Sequence, residues 1–144
     1  MKKVNCIIVD DEPASRDVLK RYVADTETLN LMSECKNAIE ANEVIKSGAI
    51  DLIFLDINMP LMNGLECLKE IKSHLHLKDI PVVMYTTSAL SGTIEIAYRL
   101  GASLFMEKPS EFQALKNMLG PILEKDWSAE KKPVDISEFV YRAN

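Results

Sequence analysis

Apolar residues along this chain fall into short unbroken runs, separated by segments in which they recur every three or four positions. The runs VNCIIVD (4–10), LNLMSEC (29–35), DLIFLD (51–56), IPVVMYT (80–86) and SLFME (103–107) have the length and side-chain types of β-strands. Between them, Val18, Leu19, Tyr22 and Val23 share one face of a helix, as do Leu65, Leu68, Ile71 and Leu75. AIEANEVIKSG and GTIEIAYRLG suit two further helices, with Gly48 and Gly101 where helix C-termini favour glycine. Strand and helix thus alternate along the chain, which predicts a parallel sheet covered by helices on both faces. The first, third and fourth runs are almost continuously apolar, as strands buried on two sides must be. The fold class is a doubly wound α/β domain.

A buried strand that ends on a charge needs a reason, and LIFLD ends on Asp56 with Pro60 close behind. Right-handed crossovers point all parallel strands the same way, so their C-terminal ends share the sheet edge where open α/β folds bind ligands. The first strand runs into Asp10 and Asp11, the third into Asp56, the fourth into Thr86 and Thr87, and the fifth into Lys108 and Pro109. Three carboxylates, a hydroxyl and an ammonium are therefore expected on one rim. Two carboxylates ~4 Å apart repel by ~4 kcal/mol at an effective dielectric near ~20, so three would take up protons or recruit a cation. All-oxygen ligands select a hard divalent ion. Mg2+ suits best, because it needs one or two carboxylates and shares its other positions with water and phosphate. One aspartate is then free to act as a nucleophile toward phosphorus, with Lys108 and Thr86 holding the phosphoryl oxygens.

Composition removes other classes. A chain of 144 residues with 47% apolar content is about one domain. A net charge of −5 argues against nucleic acid or an anionic membrane as partner. No apolar stretch approaches the ~20 residues of a membrane span, and acids follow the N-terminal apolar run too closely for a signal peptide, so a cytoplasmic location is expected. Cys6, Cys35 and Cys67 are odd in number and lie in apolar contexts, which predicts buried thiols and no disulfide or metal site. His74 and His76 sit at a helix end and are expected on the surface.

In combination, IIVDDEP, LIFLDINMPLMNGLE, PVVMYTTSA and LGASLFMEKP resemble the receiver domain of bacterial two-component response regulators, in that family's order and at its spacings. The resemblance implies a five-stranded sheet in the flavodoxin-like order 2-1-3-4-5. It implies that Asp56 accepts a phosphoryl group from a sensor histidine kinase or a phosphotransfer protein. Asp10, Asp11, Asp56 and the backbone carbonyl of Asn58 would hold Mg2+, Asp11 directly and Asp10 more through water, while Lys108 pairs with the phosphoryl group. Thr86 resembles the switch hydroxyl, and Phe105 the aromatic that swings inward when the hydroxyl moves. Asn58 and Ser88 occupy positions that tune phosphoryl lifetime in the family. A protein of this kind catalyses only its own phosphorylation and dephosphorylation, and acts through a downstream protein partner.

The same residues have plainer readings. An isolated Asp at a strand end is usually a turn former or helix cap, and Asp11 is a candidate N-cap for a helix with Pro13 in its first turn. A pseudo-receiver that binds partners without phosphorylation stays open as an alternative. An aspartate-nucleophile hydrolase normally needs a general acid two residues after the nucleophile, where Asn58 stands. A flavin carrier would want a Ser-, Thr- or Gly-rich loop after the first strand, and none follows it.

The C-terminal part departs from the commonest family pattern. Gly120 and Pro121 interrupt the apolar spacing of EFQALKNMLGPILEKDW, so a kink or break is expected near residue 119. The receiver is expected over residues 1–125. Residues 126–144, too short for an output domain, are expected to form a tail that is either disordered or docked on the domain or on a partner, with Ile136–Tyr141 able to make one amphipathic turn and Trp127 a reporter of its state. The resemblance implies that the face of the fourth and fifth helices is the surface that meets a partner or forms a homodimer.

Overall fold

The computed structural model describes residues 3–87, 90–108, 112–123 and 135–141. Strands β1 (Val4–Val9), β2 (Leu29–Cys35), β3 (Leu52–Leu55), β4 (Val82–Thr86) and β5 (Leu104–Glu107) alternate with helices α1 (Pro13–Ala24), α2 (Ala38–Lys46), α3 (Gly64–Ser73), α4 (Ser91–Leu100) and α5 (Phe112–Leu123). A short helix, α6 (Ile136–Phe139), leads directly into a sixth strand, β6 (Val140–Tyr141). Among the described residues the sheet runs β2-β1-β3-β4-β5-β6, and every pairing is parallel. The doubly wound fold and the order 2-1-3-4-5 are thus present, with β6 added outside β5.

Alternation along each strand decides which layer a side chain joins. Ile7, Val9, Ile53, Leu55, Met84 and Phe105 pack on one side with Ala41 and Ile45 of α2, Leu68 and Ile71 of α3 and Ala97 of α4. Cys6, Ile8, Phe54, Val83, Tyr85 and Met106 pack on the other with Leu19 and Val23 of α1 and Ile122 of α5. Both faces of β3 and β4 are buried, which is why their sequences lack polar alternation. The cysteines are free and buried, and burial pushes the thiols of Cys6 and Cys67 up to about 12, so neither is a thiolate at neutral pH. His74 and His76 are exposed.

Helix ends show local chemistry meeting its limits. Gly48 and Gly101 adopt φ of 86° and 100°, the left-handed conformation that lets α2 and α4 stop. Asn63 caps α3 in a capping box with Glu66: its side chain accepts the Glu66 N–H at 3.0 Å, while the Glu66 carboxylate accepts the Asn63 N–H at 3.2 Å. Asp11, by contrast, is not the cap of α1. Pro13 opens that helix, so the capping position falls on Glu12, and the Glu12 N–H donates back to Asp10 Oδ1 at 3.0 Å. Nor does α5 break near residue 119, since it continues through Pro121 to Leu123. Proline so near the helix end removes a single interior hydrogen bond, and the fully buried Ile122 anchors the last turn against the α1 side of the sheet.

Residues 135–141 are docked on the domain. β6 pairs Val140 with Phe105 and Tyr141 with Met106. Phe139 has no exposed surface: its ring meets Tyr98 of α4 edge-on, with centroids 5.2 Å apart, and lies 6.2 Å from the ring of Phe105. Ser88, Pro109 and Trp127 lie outside the described residues.

Candidate functional site

The strand ladders carry on for one residue beyond the C-terminal ends of the strands, and those residues build the site. The N–H of Asp10 donates to Cys35 O at 2.9 Å, that of Asp56 to Val9 O at 2.9 Å, and that of Lys108 to Thr86 O at 2.8 Å. Val9 is paired with Leu55 and Thr86 with Glu107, so Asp10 emerges beside Asp56 and Lys108 emerges beside Thr86 on the same edge. Backbone hydrogen bonding, with no help from the side chains, therefore aligns residues far apart in sequence.

The side chains converge on this edge. Carboxylate oxygens of Asp10, Asp11 and Asp56 lie within 4.8 Å of one another; Asp10 and Asp56 are buried and Asp11 is exposed. Lys108 Nζ donates to Asp10 Oδ2 at 2.7 Å and stands 3.8 Å from Asp56 Oδ2. The buried Thr86 hydroxyl donates to Asp56, and Asp56 Oδ1 accepts the N–H of Ile57 at 2.8 Å. Burial pushes the Asp56 carboxyl above the ordinary range. Lys108 opposes the rise, Asp10 adds to it, and the hydrogen bonds from Thr86 and Ile57 oppose it. A positive charge arriving here would favour the ionised form and lower the carboxyl again.

The donor set fits a hard divalent cation. Among the described residues, three carboxylates face a single ammonium, which leaves excess negative charge, and no thiol or imidazole joins the cluster. Asn58 is exposed at the start of the following loop, where the carbonyl of Ile57 is taken up by the N–H groups of Met59 at 3.0 Å and Gly64 at 2.8 Å. Phe105 is not at the rim. It lies fully buried within β5, between the sheet and Phe139.

Three further residues shape the site without having been apparent in sequence. Gly64 packs so close beneath Asp56 that a Cβ there would lie 2.0 Å from the Asp56 carbonyl oxygen. The ring of Tyr85 lies 4.7 Å from Lys108 Nζ. Arg16 steadies the end of β1, with Nη1 donating to Asp10 O at 2.7 Å and Nε to Glu34 Oε1 at 3.2 Å. A helix that begins on glycine, and an aromatic in an otherwise aliphatic strand, were the available signals for the first two. Leu61, in the same β3–α3 loop, holds φ of 70° without being glycine, a conformation that costs ~1–2 kcal/mol.

Comparison with known proteins agrees with this geometry. Residues 6–120 match the Response regulator receiver domain family. The chain is 32% identical over 124 residues to the chemotaxis protein CheY-3 of Vibrio cholerae, covering 86% of this chain and 95% of that protein. Among solved structures it resembles the phosphorylated cyanobacterial phytochrome response regulator RcpA, with a TM-score of 0.78 and 27% identity over 88% of this chain and 95% of the other. It also resembles the Mn2+-bound form of response regulator Rcp1, with a TM-score of 0.77 and 27% identity over 91% of this chain and 99% of the other. With fold, rim chemistry and sequence in agreement, the chain belongs to the response regulator receiver domain family.

Proposed function

We propose that this protein is a signalling switch driven by Mg2+-dependent phosphorylation of Asp56, with a sensor histidine kinase or phosphotransfer protein as donor. The observation that carries this reading is the meeting of Asp10, Asp11 and Asp56 within 4.8 Å while Lys108 Nζ stands 3.8 Å from Asp56 Oδ2. Asp56 Oδ attacks phosphorus, the bond from phosphorus to the donor atom breaks, and the leaving group departs with the electron pair. Water later cleaves the acyl phosphate and releases phosphate, so the chain acts on itself and turns over no other substrate. Asp10, Asp11, Asp56 and the carbonyl of Asn58 would hold Mg2+, which when bound neutralises charge on the carboxylates and the phosphoryl oxygens.

The protein's own groups supply the rest. Lys108 already spans Asp10 and Asp56, and needs only a small swing to pair with a phosphoryl oxygen. Thr86, now bonded to the Asp56 carboxylate, can move its hydroxyl onto the phosphoryl group. Phosphorylation adds roughly −2 charge at this point, favouring the arrangement in which Thr86 and Lys108 close on it. Phe105 is two residues before the end of β5, so a shift of β4 and β5 at the site reaches it through the sheet, and from it Tyr98 and Phe139 on the partner-facing side. A downstream protein then reads the altered surface.

Exposure to acetyl phosphate with Mg2+ should add one phosphoryl group to the intact chain by mass spectrometry, and Asp56→Asn should abolish that gain. An unlabelled wild-type protein would favour a phosphorylation-independent interaction module, and a labelled Asp56→Asn would mean that another residue is the acceptor.

A further inference from the structure

We propose that Tyr85 is a positioning residue for phosphoryl transfer, its ring face holding the Lys108 ammonium at the lip of Asp56. The inference rests on the reading of Asp56 as phosphoryl acceptor and deepens it.

A lysine stem is flexible, and an ammonium that must meet one oxygen has many competing rotamers. Lys108 Nζ has three described neighbours: Asp10 Oδ2 at 2.7 Å, Asp56 Oδ2 at 3.8 Å and the Tyr85 ring centroid at 4.7 Å. The first two change during the proposed reaction. Asp10 belongs to the carboxylate cluster, where a divalent cation competes with the ammonium for the same oxygens, and Asp56 Oδ becomes bonded to phosphorus. The ring alone keeps its chemistry throughout. A cation within ~6 Å of an aromatic centroid is attracted by the ring quadrupole, more strongly where water is excluded. Water is largely excluded here, with Tyr85 3% exposed and the Lys108 side chain 11% exposed.

The ring is also fixed in place. Tyr85 is paired with Met106 across the ladder and packs in the core between the sheet and α1, so it cannot follow the ammonium or be displaced by it. Within its strand Tyr85 stands as an aromatic beside Val82, Val83 and Met84, all buried. Tyr85 faces the opposite core from Thr86, which leaves the hydroxyl and the ring on separate sides of the phosphoryl site. One orients a donor to Asp56, and the other orients the charge that follows the phosphoryl group.

The test is a double-mutant cycle on the full-length chain, with acetyl phosphate and Mg2+ as reagents and the rate of Asp56 labelling followed by intact mass. Tyr85→Leu should slow labelling about tenfold, equivalent to ~1.4 kcal/mol, whereas Tyr85→Phe, which keeps the ring, should stay within about twofold of wild type. In a Lys108→Ala background, Tyr85→Leu should change the residual rate no further, because the group it positions is gone. Thermal unfolding of each variant separates a slowed site from an unfolded one. Equal slowing by Phe and Leu, no slowing by Leu, or an undiminished Leu effect without Lys108 would each overturn the proposal. Failure of the wild-type chain to label would instead sink the phosphoacceptor reading on which it stands.

Discussion

Replacing Gly64 with alanine should strike the proposed acceptor site from below. The added Cβ would lie 2.0 Å from the carbonyl oxygen of Asp56, 2.7 Å from the Cα of Ile57 and 2.8 Å from the carbonyl carbon of Asp56. All three are backbone atoms, so no side chain can rotate out of the way. Ordinary contact begins near 3.4 Å, and reaching it requires α3 and the Asp56–Ile57 peptide to separate by about 1.4 Å. That separation breaks the Gly64 N–H bond to Ile57 O, now 2.8 Å. A lost hydrogen bond at ~1 kcal/mol and overpacking at ~1–3 kcal/mol together make a loss of about 2–4 kcal/mol. A displacement of ~1 Å at the proposed nucleophile, Asp56, should also slow phosphoryl transfer by ~100-fold. Gly92, in the first turn of α4, is the control: nothing lies within 4 Å of a Cβ there. Gly92→Ala should be neutral, or stabilising by up to ~1 kcal/mol, since alanine loses less backbone entropy in a helix. Urea unfolding and the acetyl phosphate labelling rate measure both effects. If Gly64→Ala proves as stable as Gly92→Ala and labels at the wild-type rate, Gly64 does not approach Asp56 this closely.

Three other outcomes follow from the same geometry. Because the folded chain raises the Asp56 carboxyl, it holds that proton to higher pH than the unfolded chain, so in EDTA stability should fall as pH climbs from about 4 through the raised value. Asp56→Asn should flatten this slope in urea midpoints taken across pH, and an unchanged slope would assign the titration elsewhere. Mg2+ should raise the unfolding free energy by ~2.7 kcal/mol at a hundredfold excess over its Kd, and exposed Asp11 is the cleaner proposed ligand to remove because Asp10 also holds Lys108. Asp11→Asn should shrink the Mg2+-dependent shift in Tm; an undiminished shift would place the ion elsewhere. Phe139→Ala empties a fully buried ring position, for which core truncations cost ~3–5 kcal/mol, but release of the peripheral α6–β6 segment caps the loss. Hydrogen exchange should therefore accelerate in residues 135–141 far more than in β1 or β3, and uniform acceleration would mean that the segment is integral to the core.

The doubly wound fold was legible because its signals are contiguous. Each apolar run marks a strand, each three-to-four spacing marks a helix face, and the alternation of the two leaves few topologies open. Asp10, Asp11, Asp56, Thr86 and Lys108 could be gathered from sequence by adding one rule, that parallel strands end on a common edge. Two local expectations failed where a neighbour intervened. Pro13 shifted the start of α1 away from Asp11, and the buried Ile122 held α5 together past Pro121. The docking of Phe139 on Tyr98 and Phe105 left no comparable trace, because an aromatic near a chain end reads the same whether it is packed or exposed.

The order of residues by itself determined the alternation of strand and helix, the burial of the central strands and the identity of the rim residues, since these follow from short-range periodicity and strand ends. Only the tertiary structure decided that Lys108 lies on Asp10 and over Tyr85, that Gly64 leaves no room beneath Asp56, and that Phe139 covers Phe105. Those are distances between segments, fixed by sheet register and side-chain packing, and no local pattern encodes them.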